Sequence, residues 1–291
     1  MSEQTKRELL AAARVRIERQ GRRGLRKQAP RPRRPEQAIR EYRTRLRDLA
    51  KALEEEVRAQ VFPELESIIE QAGTRDDAVR HDDWGQRLRD LFNATRMSIE
   101  PVIGRTRSFM LSIGDRVEGR ATQEQIKAVR AVLGVSPTFY DEGRIRGILN
   151  AWKDQNGAFI TRMADDAVEQ MMDTASRAVR TGRPLTEVRE ELRKRFDITE
   201  RRAKTIARTE VSQLNTQITR ERQREVGITG YYWTTANDER VRDDHEDMAG
   251  EFVPWDDPPS ETGRQHAGEP INCRCTARAA VDRLLDELEA D

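Results

Sequence analysis

The chain has only two cysteines in 291 residues, Cys273 and Cys275, so a disulfide framework is excluded. On an extended strand their Cα atoms would stand about 6.5 to 7 Å apart, at or beyond the limit for a disulfide between them. Long apolar runs are missing as well. None approaches the roughly 20 residues needed to cross a bilayer, and the opening Met1-Ser2-Glu3-Gln4 has no apolar signal core, so the chain reads as soluble and cytoplasmic where it is made, with no membrane partner. No internal repeat and no phosphate-cradling glycine loop occur, which leaves the Met and aromatic positions as core residues and not a cofactor box.

Charge is what the sequence has in abundance. Charged residues make up 36% of the chain and hydrophobic residues another 36%, so much of the chain must be solvated surface, as on long helices with narrow apolar stripes. The net charge of +1 hides an asymmetry. Residues 1–50 hold 16 Lys and Arg against 6 Asp and Glu, which leaves 37 basic against 46 acidic groups in the remainder. A basic end on an acidic body suggests nucleic acid as one partner, with a solvated helix face as the plain alternative. The candidate contacts are Arg14, Arg16, Arg22, Arg23, Arg26, Lys27, Arg31, Arg33 and Arg34. Arginine excess with Tyr42 as the nearby aromatic suits phosphate contact without base reading.

Periodicity predicts helices along most of the chain. Leu9, Ala13 and Ile17 mark a basic helix from about Thr5 to Arg23, and Pro30, Pro32 and Pro35 then impose an extended linker. Ile39, Tyr42, Leu46, Leu49, Leu53, Val57, Val61, Leu65 and Ile69 form a stripe over about 35–72, which Pro63 should kink or divide. Further helices are expected over 84–97, about 102–117 and 123–133, with Gly134 to Pro137 as a stop, and long ones over 141–181. After Gly182-Arg183-Pro184 a short helix carries Leu185, Val188, Leu192 and Phe196, and Asp197-Ile198-Thr199-Glu200 resembles a capping box that opens another, closed by Gly227.

Beyond Gly227 the character changes to a small α+β unit. Strands are expected at 230–235, 252–253 and 271–277, a short helix around Val241, His245 and Met248, and a terminal helix over 281–288. The expected fold class is therefore mainly α with a small C-terminal α+β domain, long amphipathic helices followed by a short-stranded sheet unit. Four segments follow from this reading: a basic mobile arm and linker over 1–35, an extended helical region over 36–139, the helical part of a compact body over 140–226, and the α+β unit over 227–291.

Four motifs stand in order within the last third. They are Ala203-Lys204-Thr205-Ile206-Ala207-Arg208-Thr209-Glu210, then Gly230-Tyr231-Tyr232-Trp233-Thr234-Thr235, then Asp238-Glu239-Arg240-Val241-Arg242 with His245 and Gly250, then Pro270-Ile271-Asn272-Cys273-Arg274-Cys275. Their order and spacing resemble the phage Mu F-like head morphogenesis family over roughly residues 180 to 280. The resemblance implies a minor head protein of a tailed bacteriophage, recruited into the procapsid interior, associated with the portal and involved in assembly and in packaging or ejection of DNA. Partners implied are the portal and other head proteins, with packaged DNA bound non-specifically; the location implied is the head interior or portal vertex, after assembly in the host cytoplasm. About fourteen residues follow the last expected strand, so no appended toxin domain of the kind some relatives carry is expected.

Motif residues leave two chemistries to weigh. Arg208 and Glu210 lie two apart on a helix and do not share a face, which fits a polar network of Arg208, Thr209 and Glu210 tying the helix to the sheet better than a transferase active site. His245, Cys273 and Cys275 can meet to hold a structural zinc, with Asp238 or His266 as fourth ligand, although one residue between the cysteines is fewer than the usual two to four. The competing account makes the cysteines small apolar residues and bonds His245 to a carboxylate. The same cluster with Asp238 would be the core of a metal-dependent nuclease, the second enzyme class weighed; the expectation is no enzyme.

Overall fold

The computed structural model describes residues 2–73 and 81–290, with side chains over 4–71, 84–196 and 201–286. Its helices are α1 (Ser2–Gln20), α2 (Glu36–Glu56), α3 (Phe62–Gly73), α4 (His81–Ser98), α5 (Glu100–Leu133), α6 (Glu142–Thr181), α7 (Leu185–Glu225), α8 (Asp243–Asp247) and α9 (Val281–Ala290). Three strands, β1 (Gly230–Thr234), β2 (Phe252–Pro254) and β3 (Thr276–Ala279), form an antiparallel sheet in the order β2-β1-β3. The protein is thus mainly helical with a small sheet near its C-terminus, the fold class that the periodicity predicts.

Several boundaries differ from the sequence reading, each for a local reason. Pro63 divides its helix as expected, through a π-helical turn over Val57–Val61 in which the Phe62 N–H reaches back to the Val57 carbonyl. Proline has no N–H to give and its ring crowds the carbonyl four residues back, so widening the turn just before it keeps the stripe in register. The segments expected at 102–117 and 123–133 are one helix, α5, and the pair expected either side of residue 197 is one 41-residue helix, α7. The capping-box pattern at 197–200 therefore lies inside a helix: such a pattern can serve a first turn but does not compel one. The third strand begins at Thr276 and not Ile271, because Cys273 N–H bonds the Pro270 carbonyl at 2.9 Å and Asn272 has φ +61°, which makes 270–273 a turn.

By packing, the chain divides into two compact units that are each discontinuous in sequence. One comprises residues 40–112 and 154–207. Tyr42, Leu46, Leu49, Leu53, Val57, Val61 and Leu65, the predicted stripe, are buried there, and the Tyr42 hydroxyl donates to Asn156 Oδ1 at 2.8 Å.

The other unit comprises 1–39, 113–153 and 208–291. Residues 2–35, expected as a mobile arm, are part of its packing. Leu9 and Ala13 of α1 and Ala29 share a buried cluster with Val129, Val132 and Leu133 of α5, Ile228, and Val281, Leu284 and Leu285 of α9. Two apolar residues one turn apart give α1 a face to bury despite its charge. A second cluster joins Tyr231 and Trp233 of β1 to Val253, Trp255, Ala267, Cys273, Cys275 and Ala277.

A candidate metal centre beside the motif helix

The sheet unit is held against α7 by polar groups on one helix face. Arg208 Nη1 donates to Asn272 Oδ1 at 2.8 Å, and Thr209 Oγ1 accepts the Asn272 N–H at 2.9 Å. One and two turns further along, Gln213 Nε2 donates to the Glu269 carbonyl at 2.7 Å and Thr216 Oγ1 to the Ala267 carbonyl at 2.8 Å. Helical spacing of three and four residues lines these side chains up along the loop 267–272. Gly268 leaves no room for a side chain against the helix: its φ is +97°, and a Cβ there would stand 2.4 Å from Thr216 Oγ1. The Glu210 carbonyl accepts the Trp152 indole N–H at 3.1 Å.

Arg208 is half-buried, and burial, with the positive charges of Arg34 and Arg274 nearby, pulls its pKa below the usual arginine value. Arg34 pairs with Glu36 and Arg274 with Asp238. Asn272, Gln213, Thr216 and Gly268 carry the docking as much as the motif arginine does. The sequence signal for them was weak: only Gly268 and Asn272, residue types that tolerate positive φ, stand out in the loop.

Next to this docking, α8 and the 270–275 turn bring three donors together. His245, Cys273 and Cys275 are each 3% exposed, and one ligand atom from each lies within 4.8 Å of the others. His245 Nδ1 is 3.5 Å from Cys273 Sγ and 3.5 Å from Cys275 Sγ, and the imidazole stands edge-on to Trp233 with centroids 5.3 Å apart. Cys273 is held low, to about 5, by the hydrogen bond from the Cys275 thiol, against its own burial and with help from backbone N–H groups of Cys275 and Gly268. Cys275 is pushed up correspondingly by Cys273 and by burial.

Neither expected fourth ligand joins the trio. Asp238 accepts from the Arg274 guanidinium and from the Arg240 backbone N–H, so its charge is spent on the turn after β1. His266 belongs to the aromatic cluster: its Nδ1 is 3.3 Å from the Tyr231 hydroxyl, which itself accepts the Ala267 N–H, and its ring is edge-on to Trp255. Burial lowers the His266 pKa, against the raising effect of Glu269.

Of the basic residues expected to contact nucleic acid, Arg14, Arg22, Arg23, Arg26, Lys27, Arg31 and Arg33 are exposed. Arg16 and Arg34 are half-buried, Arg16 bonding the Gly21 carbonyl. Arg31 also reaches Asn237 Oδ1 at 3.2 Å.

The C-terminal part is thus a long helix clamped by its polar face onto a three-stranded sheet, with a buried His-Cys-Cys trio beside that junction. Residues 169–278 match the family described as Phage Mu protein F like protein. Over those residues the chain is similar to that family, as the four ordered motifs led one to expect. A stretch of 84 residues is 42% identical to an uncharacterized protein of Haemophilus influenzae, covering 29% of this chain and 18% of that protein. The chain thus spans less than a fifth of the length of that relative. No solved structure matches the chain.

Proposed function

We infer that the protein is a minor capsid component of a tailed bacteriophage, a structural protein of head morphogenesis that associates with the portal inside the procapsid. The observation that carries this reading is the match over 169–278, within which the four motifs meet as one body: Arg208 and Thr209 of the first bond Asn272 of the last. A role in packaging or ejection of DNA, bound non-specifically, is supported by the exposed basic residues of 14–33. The place of action is the head interior or the portal vertex. Among the described residues no helix is long and apolar enough to cross a membrane.

A structural role is favoured over a metal-dependent nuclease by the fate of the acids around His245. Cutting a phosphodiester needs carboxylates or water beside the metal and room for the strand. Asp238 is engaged by Arg274, the Asp244 carboxylate accepts the His245 backbone N–H, and the three donors are buried.

The reading is tested by co-expressing the chain with the portal protein encoded by the same phage, purifying through a tag on the portal, and measuring the mass of the complex. A stable complex that survives gel filtration is expected. Elution of the two proteins at their separate masses, at all salt concentrations, would overturn the portal association.

A further inference from the structure

We propose that His245, Cys273 and Cys275 bind one zinc ion that ties α8 to the turn leading into β3. In a tetrahedral site, Zn–S bonds of about 2.3 Å and a Zn–N bond of about 2.0 to 2.1 Å set an N···S edge of about 3.5 Å. Both N···S separations at this trio are 3.5 Å, which matches that edge. A neutral imidazole nitrogen has one lone pair and can accept a single thiol hydrogen well. Two sulfurs converging on one nitrogen are what a shared ion requires.

The short Cys-X-Cys spacing fits because the pair is not on an extended strand. The turn at 270–273, with Asn272 in the left-handed region, folds Cys273 back so that the Cys275 N–H faces its sulfur at 3.4 Å. The Gly268 N–H is also directed at Cys273. On the other side the buried Trp233 Nε1–H is without a hydrogen-bond partner among the described residues. Backbone donors at the Cys273 sulfur are outer partners of the kind that orient and tune metal ligands. Bound zinc would offset the cost of burying the two thiolates that ligate it.

Thiolates with an imidazole select zinc over the hard cations calcium and magnesium, which take oxygen donors. Among the described residues no fourth His, Cys, Asp or Glu joins the group, so these three side chains are the ligands offered by the described residues. An ion there would add folding energy to that of the buried cluster around Tyr231, Trp233 and Trp255.

The test uses the full chain, purified without a histidine tag, with metal content measured by inductively coupled plasma mass spectrometry. One zinc per chain is expected, falling below a tenth in the Cys273→Ser, Cys275→Ser double variant, while Asp238→Asn and His266→Gln retain it. A strong chelator should lower the melting temperature of the wild-type chain. Should the double variant fail to fold, cobalt titrated into the zinc-stripped wild-type chain decides instead, through the thiolate-to-cobalt charge-transfer band and tetrahedral d–d absorption. Wild-type protein with less than a tenth of a zinc per chain and no such cobalt spectrum would overturn the proposal. So would one zinc that persists in a folded double variant.

Discussion

Single residues in the loop 266–272 decide how the sheet unit meets α7, and His266 gives that junction a dependence on pH. The groups facing it are Glu269, Arg220, Arg224, the Tyr231 hydroxyl and the Trp255 backbone and ring. Burial makes the neutral ring the favoured form, so the folded-state pKa lies below the unfolded value of about 6.5. A base with a depressed folded pKa contributes stability that is present above the unfolded pKa and is lost as pH falls through the folded one. Urea midpoints measured from pH 7.5 down to 5 should therefore fall more for the wild-type chain than for His266→Gln, which cannot take up the proton. Parallel profiles for the two would show that His266 is not held neutral. Much of this was outside the reach of sequence. His245, Cys273 and Cys275 could be picked out as a possible ligand set by residue type alone, but Asp238 looked equally placed, and only the position of Arg274 removes it.

Helices were legible where a stripe repeats every three or four residues, and their ends were legible where glycine takes positive φ, as at Gly134 and Gly227. What could not be read was continuity. The capping-box pattern at 197–200 and the polar residues near 118–122 look like breaks, yet α7 and α5 run through them. In α5 part of the reason lies at Arg222, which is 1% exposed and gathers partners remote in sequence. Its guanidinium donates to Glu142 at 2.8 Å, Glu118 at 3.2 Å, Glu225 at 3.3 Å and Thr122 at 3.0 Å, and lies over the Phe139 ring. Residues that read as solvated surface in sequence are thus consumed by one buried cation. Removing one partner of a buried pair strands the other, at a cost of about 3 to 5 kcal/mol. Arg222→Met is expected to lose stability of that order in urea unfolding, because Glu225 is buried beside it. Adding Glu225→Gln should restore part of the loss, and equal stability of Arg222→Met and wild type would contradict the network.

At the scale of the whole molecule, the two compact units are assembled from segments that alternate along the chain, which no reading in consecutive blocks could foresee. The basic N-terminal residues illustrate the point. Charge and proline content suggested a free arm, whereas Leu9, Ala13 and Ala29 are buried in the packing of 1–39 with 113–153 and 208–291. Truncating residues 1–35 would therefore test folding as much as binding. Charge reversal of exposed groups is cleaner: Arg22, Arg23, Arg26 and Lys27 changed together to Glu should weaken binding to duplex DNA of any sequence. The slope of log affinity against log salt should become shallower by about 0.9 for each phosphate that the chain no longer neutralises. Unchanged affinity and slope would assign the charge to a protein partner or to solvation.

A head component must be present in the particle itself. Procapsids and mature virions of the phage, each purified through a density gradient, would be analysed by quantitative mass spectrometry against the portal protein. The chain is expected in procapsids in few copies per portal, and is expected to be absent from procapsids assembled without the portal. Recovery of the chain only in the free soluble fraction, with none in procapsids at any stage, would contradict its role as a head component.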